Sequence, residues 1–190
     1  MNSKFICDKE YTGEDFIKNS LEIADYENCT FSNCNFSNTD LSNNSFVECI
    51  FVNCDFSNAG LKQTSFREVK FKNCKLLGLR FDECDVFLLS FQFEECNLNF
   101  SSFYQLNIQK TIFDGCKLQE VDFVGTDLSD AIFSNSDLNK AVFENTNLEK
   151  ADFRSSYNYS FDPESNRVTK AKFSKEEVIG LLYKYNIEID

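Results

Sequence analysis

Histidine and tryptophan are absent from the 190 residues, proline and methionine occur once each, and glycine occurs six times. Without histidine, a cysteine nucleophile lacks its usual base, and a zinc site would have to be built from cysteines alone. The sparse glycines form no glycine-rich phosphate loop, and no carboxylate pair stands out from its surroundings, so no enzymatic activity and no cofactor are expected. No apolar run approaches the ~18 residues of a membrane-spanning helix. The first fifteen residues are polar and lack the apolar segment of a secretory leader, which makes the cytoplasm the expected location. The length predicts a single domain, 1–190.

Phenylalanine is present in 22 copies, and its placement is regular. From Cys96 to Phe153, every fifth residue is large and apolar: Leu98, Phe103, Ile108, Phe113, Leu118, Phe123, Leu128, Phe133, Leu138, Phe143, Leu148 and Phe153. A chain that is 42% hydrophobic fills twelve chosen positions this way about once in 30,000 draws. Helices repeat at 3.6 and strands at 2, so a period of five belongs to neither. The residue two before each large one is Ala, Ser, Thr or Cys in ten of the twelve cases. Two inward residues flanking one outward residue make a three-residue strand, and the remaining two residues turn a corner. Repeated, the unit is a coil of short parallel strands, a solenoid in which no repeat buries its apolar face alone.

The triplets Ala151-Asp152-Phe153, Thr126-Asp127-Leu128 and Ser136-Asp137-Leu138 resemble the A(D/N)Lxx motif of the pentapeptide-repeat family. This resemblance implies an all-β fold, a right-handed quadrilateral parallel β-helix with four pentapeptides per coil and about eight coils. The segment Tyr11-Thr12-Gly13-Glu14-Asp15-Phe16 is similar to the start of the Qnr-type, quinolone-resistance members.

In chain order, 1–15 reads as an N-terminal cap, because Lys4 and Lys9 occupy the small inward slots. A first repeat block spans 16–91, with Val86 and Phe91 in phase and Phe31, Phe51, Phe71 and Phe91 in one column. Each such ring should contribute roughly 1.5–3 kcal/mol by burial. The step from Phe91 to Leu98 is seven, which places a two-residue insertion at 92–97, either a bulge that repairs the register or a contact loop presenting Glu94 and Glu95. A second block runs over 98–173. Eight of the nine cysteines fall in small inward slots, where they serve as compact hydrophobes, and Cys7 alone lies outside the pattern. Stacked coils ~4.8 Å apart would bring thiols within disulfide reach, but the expected compartment argues for free thiols.

Beyond 173, Ser174-Lys175-Glu176-Glu177 reads as a capping box. It predicts a short C-terminal α-helix over about 175–185, followed by Ile187 and Ile189 alternating as a strand. Within 174–190, Val178, Leu181, Leu182, Tyr185, Ile187 and Ile189 can cap the last coil and also pair two chains end to end, as the Qnr-type resemblance implies.

The net charge of −12 is uneven: residues 61–80 carry +5 from Lys62, Arg67, Lys70, Lys72, Lys75 and Arg80 against Glu68, whereas 81–164 sum to −11. An acidic rod is repelled by nucleic acid, so direct binding to DNA or RNA is not expected. It could instead occupy a surface evolved for DNA. The resemblance implies a DNA mimic that binds bacterial DNA gyrase or topoisomerase IV and inhibits it or protects it from quinolones. Its contact surface would be collective: Glu94, Glu95, Asp114, Asp122, Asp127, Asp130, Asp137, Glu144, Glu149 and Asp152. Eight coils at ~4.8 Å give ~77 Å for an end-to-end dimer, and duplex DNA of that length carries roughly 45 charges. Two chains carry −24, from 2 × −12. The competing reading of the individual acids is that an Asp before the large residue caps its own corner and that outward acids aid solubility. The competing reading of the whole is an interaction scaffold with no topoisomerase role.

Overall fold

The computed structural model describes residues 4–188, which form a right-handed quadrilateral parallel β-solenoid of about eight coils. Four faces recur in order. On the first lie β1 (Lys4–Cys7), β3 (Ala24–Glu27), β5 (Ser45–Val47) and β7 (Ser65–Arg67), paired in parallel as one sheet. The second carries a nine-stranded sheet along the whole rod: β2 (Glu10–Thr12), β4 (Thr30–Ser32), β6 (Ile50–Val52), β8 (Val69–Lys72), β9 (Phe91–Glu94), β10 (Ile112–Asp114), β11 (Ile132–Ser134), β12 (Asp152–Phe153) and β13 (Lys172–Phe173). The third and fourth faces are joined by isolated parallel bridges such as Asn35 to Asp55 and Ser102 to Asp122. Residues 4–12, expected as a cap, thus already supply a strand to each sheet.

The interior is a set of side-chain columns. On the second face Tyr11, Phe31, Phe51, Phe71, Phe93, Phe113, Phe133, Phe153 and Phe173 stack with centroids 4.6 to 5.4 Å apart. That spacing is at once the strand separation and a favourable offset-stacking distance. The small slot explains its residue types. Thr126 Oγ1, Ser136 Oγ and Cys54 Sγ donate to the carbonyl oxygens of Phe103, Phe113 and Phe31, at 2.8, 3.1 and 3.3 Å. Short donors thereby find acceptors inside the coil, so the polar atom of each small slot is hydrogen-bonded where it is buried. All nine cysteines are free, eight of them buried and Cys7 exposed.

Most corners place a left-handed residue two positions after the large one, and Asn33, Asn53, Asn73 and Asn135 do so with φ between 49° and 55°. The register break is displaced from its expected place. Gln92 to Glu94 lie in β9, paired residue for residue with Lys70 to Lys72, and Phe93 takes the column position anticipated for Phe91. The two extra residues fall at 86–90 instead. Asp85 still bridges to Ser65, a step of twenty, whereas Phe91 already pairs with Val69, a step of twenty-two. Val86 is therefore outside the core, 66% exposed.

At the C-terminus the expected α-helix is two short 3-10 segments, Val178–Leu181 and Tyr183–Tyr185. Ser174 Oγ accepts the Glu177 N–H as a capping box requires, but the Glu177 carboxylate turns away to accept the N–H of Asn158. Gly180 lies so close to the Tyr159 carbonyl that a Cβ there would overlap it. This contact and the Glu177–Asn158 bond tie the segment to the last coil. Ile187 belongs to no strand, and Ile189 lies outside the described residues.

Candidate partner-binding surface

One coil holds four pentapeptides, so a side chain five residues further along points from the next face. The acids anticipated as one surface are consequently distributed around the rod. Asp127, Asp130 and Glu149 belong to the first face and its corner, Glu94, Glu95, Asp114 and Asp152 to the second, Asp137 to the third, and Asp122 and Glu144 to the fourth.

Two chemical roles separate within this set. The carboxylates of Asp122, Asp127, Asp137 and Asp152 accept the backbone N–H two residues on, from Val124, Ser129, Asn139 and Arg154, at 2.9 to 3.2 Å. Asp40 and Asp55 repeat the geometry with Ser42 and Ser57. These are Asx turns that close the corner after each strand. Several acids are also neutralised by a cation on an adjacent turn, Glu94 by Lys72, Asp130 by Lys150, Glu149 by Arg167 and Asp152 by Lys172, and Asp152 also pairs with Arg154 two residues on. The Arg154 guanidinium holds the Asp152 carboxyl below its ordinary value. For Asp127, burial opposes ionisation, but the Ser129 N–H and hydroxyl and the Gln109 and Asn147 amides prevail and lower it. Among the described residues, Glu95, Asp114 and Glu144 form no ion pair.

The basic residues of 61–80 encircle the rod, since Arg67 lies on the first face, Lys70 and Lys72 on the second, Lys75 on the third, and Lys62 and Arg80 on the fourth. Lys72, Lys75 and Arg80 pair with Glu94, Asp55 and Asp82. Lys62 and Lys70 have no carboxylate partner among the described residues.

Of the C-terminal residues anticipated at a chain–chain contact, Leu181 turns inward and is buried, and Leu182 is half-buried. Val178, Tyr185 and Ile187 face solvent, and so do Ile179 and Tyr183 beside them. Lys184 ties this segment to the preceding loop through Asp162 and Glu164, and the Tyr185 hydroxyl donates to Glu164.

The feature missed in the sequence is the bulge at the register break, where Val86, Phe87 and Leu88 are 66, 61 and 65% exposed. Its signal was present: Val69-Lys70-Phe71 through Cys74 and Leu76 aligns with Phe91-Gln92-Phe93 through Cys96 and Leu98 at a step of twenty-two, which forces the extra residues to precede Phe91.

Among the described residues no group of three or more Cys, Asp or Glu is arranged to hold a metal ion, and no helix is long and apolar enough to cross a membrane. The sequence profile described as "Pentapeptide repeat region" matches residues 24–103 and 86–160. No curated protein matches. Among solved structures, the chain is similar to two trypsin-treated variants of QnrB1, described as a plasmid-mediated fluoroquinolone resistance protein. One is 23% identical over 98% of this chain and 100% of that one, with a TM-score of 0.51. The other is 22% identical over 95% and 98%, with a TM-score of 0.50.

Proposed function

Because the chain belongs to the pentapeptide-repeat family, we propose that it is a non-enzymatic acidic binding protein that occupies the DNA-binding surface of a bacterial type II topoisomerase. Its target would be DNA gyrase or topoisomerase IV, which it inhibits or shields from quinolones. The observation that carries this reading is the distribution of charge on the rod: over residues 81–164, which sum to −11, carboxylates project from all four faces. A duplex likewise presents charge around its axis rather than on one side. The likeness to a protein described as conferring fluoroquinolone resistance supports the choice of target. Collective binding fits the placement of the acids, since Glu95, Asp114 and Glu144 lack cation partners among the described residues. Pairing through the C-terminal segment would double the length of the rod.

Supercoiling by purified gyrase and decatenation by topoisomerase IV, each with and without a fluoroquinolone, test the proposal. A change in either activity, or in cleavage complexes, at micromolar protein supports it. No effect on either enzyme at micromolar excess would overturn it.

A second reading, a scaffold for a partner unrelated to DNA enzymes, is favoured by the basic girdle. A ring of positive charge interrupts the negative rod, and exposed ion pairs neutralise several acids, each pair contributing only about 0–1 kcal/mol. A salt-insensitive interaction with a topoisomerase would point the same way, because occupation of a DNA surface by charge weakens as salt rises.

A further inference from the structure

We infer that a second copy of this chain packs against the second face, the two rods antiparallel about a two-fold axis that crosses the face at Gln92.

The nine-stranded sheet leaves its outer side open along the rod. Its strands pair residue for residue without stagger, so the outward side chains, and those at the corner leading into the face, form straight rows with one residue per coil. Along these rows charges of opposite sign lie at equal distances from the coil of Gln92. Asp8 and Lys170 lie four coils to either side at the corner, and Glu10 and Lys172 four coils to either side on the face. Glu68 and Lys110 lie one coil to either side, as do Lys72 and Asp114. Of these, Asp8, Glu10, Glu68, Asp114, Lys110 and Lys170 form no ion pair within the chain among the described residues.

A two-fold axis in the plane of the face and across the rod lays each row on its own reverse. Asp8 then meets Lys170, Glu10 meets Lys172, Glu68 meets Lys110 and Lys72 meets Asp114, and each contact occurs twice. Ile50 and Ile132, 39 and 38% exposed, lie two coils to either side of Gln92 and cover one another. Ile112 meets Lys70, whose methylene stem can lie along it, and Lys150, Asp152 and Arg154 meet Asn28, Thr30 and Ser32. Two contacts bring like charges together, Glu48 with Asp130 and Glu94 with itself. In each, an acid is already neutralised within its own chain, Asp130 by Lys150 and Glu94 by Lys72.

The order of the charges, rather than their sum, selects a second copy and this axis. Moved half a coil towards the C-terminus, the axis would oppose Glu68 to Asp130 and Glu94 to Asp114 and leave Asp8 and Glu10 unopposed. Moved half a coil the other way, it would oppose Glu10 to Asp152 and leave Lys170 and Lys172 unopposed, and a parallel pair would oppose Lys70 to Lys72. The face is about 38 Å long, from nine strands at ~4.8 Å, and about 10 Å wide, from three residues of strand. A footprint of that size is at the low end for a specific contact, so the association is expected in the micromolar range. The two-fold closes the assembly at two copies, and a contact through the C-terminal segment can coexist with it.

Light scattering on the full chain across about 10–300 µM, a range that reads weak self-association, tests the inference. The average mass of the parent is expected to rise with concentration and to fall as salt is added. Lys172→Glu, which sets carboxylate against carboxylate twice, should weaken the association about tenfold, and adding Glu10→Lys should restore it. These two residues lie at opposite ends of one chain, so recovery requires antiparallel copies. Lys110→Glu, with Glu68→Lys as its rescue, repeats the test beside the axis. Circular dichroism and melting curves should be the same for all variants, and because none alters residues 174–190, a contact there contributes equally to each. A parent mass that stays level across the range, coincident masses for the parent and Lys172→Glu, or failure of Glu10→Lys to recover the lost mass would each overturn the inference.

Discussion

Phe71 stacks on Phe93 across twenty-two residues of chain, with ring centroids 5.4 Å apart and planes 13° from parallel, as well aligned as Phe51 on Phe71 across twenty, at 5.2 Å and 12°. The extra residues therefore perturb one corner and leave the aromatic column continuous. Phe93→Ala should cost about 3–5 kcal/mol, the usual cost of emptying a phenylalanine site in a core. Phe87→Ala, at 61% exposure, should stay within about 0.5 kcal/mol. Urea unfolding of both variants checks the assignment, and comparable losses would refute it.

The thiols should divide sharply. Burial pushes the Cys49 and Cys116 thiols up to about 12, and their slots lie inside the coil. Aromatic disulfide reagents should modify Cys7 within minutes in the native protein, and the other eight cysteines only as the solenoid unfolds. Several rapid equivalents under native conditions would contradict the inward placement.

Acid should weaken the fold through the corners. Asp40, held low by the Ser42 hydroxyl and N–H, and Asp152, held low by Arg154, both bind protons less readily than they would in an unfolded chain. Their stabilisation is complete above the unfolded value near ~4 and disappears as pH falls through the lower folded values. The urea midpoint should be level from about pH 7 to 5 and decline below about 4. Asp152→Asn should lower stability at neutral pH by about 0.5–1 kcal/mol and make the acid decline shallower. A midpoint that rises towards pH 3 would contradict this account.

The C-terminal segment can be tested by mass and by stability. Leu182→Asp and Tyr183→Asp should reduce the average mass if the exposed apolar residues pair chains end to end, and unchanged mass in both would remove that contact. Gly180→Ala has no space beside the Tyr159 carbonyl. It should lift the segment from the last coil and cost about 1–3 kcal/mol, measured by thermal unfolding.

The fold was legible because every fifth apolar residue is a core residue, and the small slot could be read from Ala, Ser, Thr and Cys. The position of the register break was not, since Val86, Phe91 and Phe93 are all apolar and period alone cannot decide which of them turns inward. Only a comparison of whole repeats, Phe71 with Phe93 and Cys74 with Cys96, separates the cases. The acids misled for a geometric reason. Asp122, Asp127 and Asp137 share a position in the repeat, but each pentapeptide advances one face, so a shared position is not a shared direction. At the C-terminus, the amphipathic spacing of Val178, Leu181, Leu182 and Tyr185 suggested a helix. The segment forms two 3-10 pieces instead, tied to the last coil by contacts such as Gly180 with Tyr159 that link residues distant in sequence and leave no local pattern.

The two sheets also give the rod an uneven mechanical character. The nine-stranded ladder runs along the second face, whereas the third and fourth are tied by single bridges and the first loses its ladder after β7. A body braced in this way behaves as a leaf spring with one stiff side. The stiff side is also the side lined by the continuous aromatic column, so the cohesion between successive coils is concentrated along one edge of the rod.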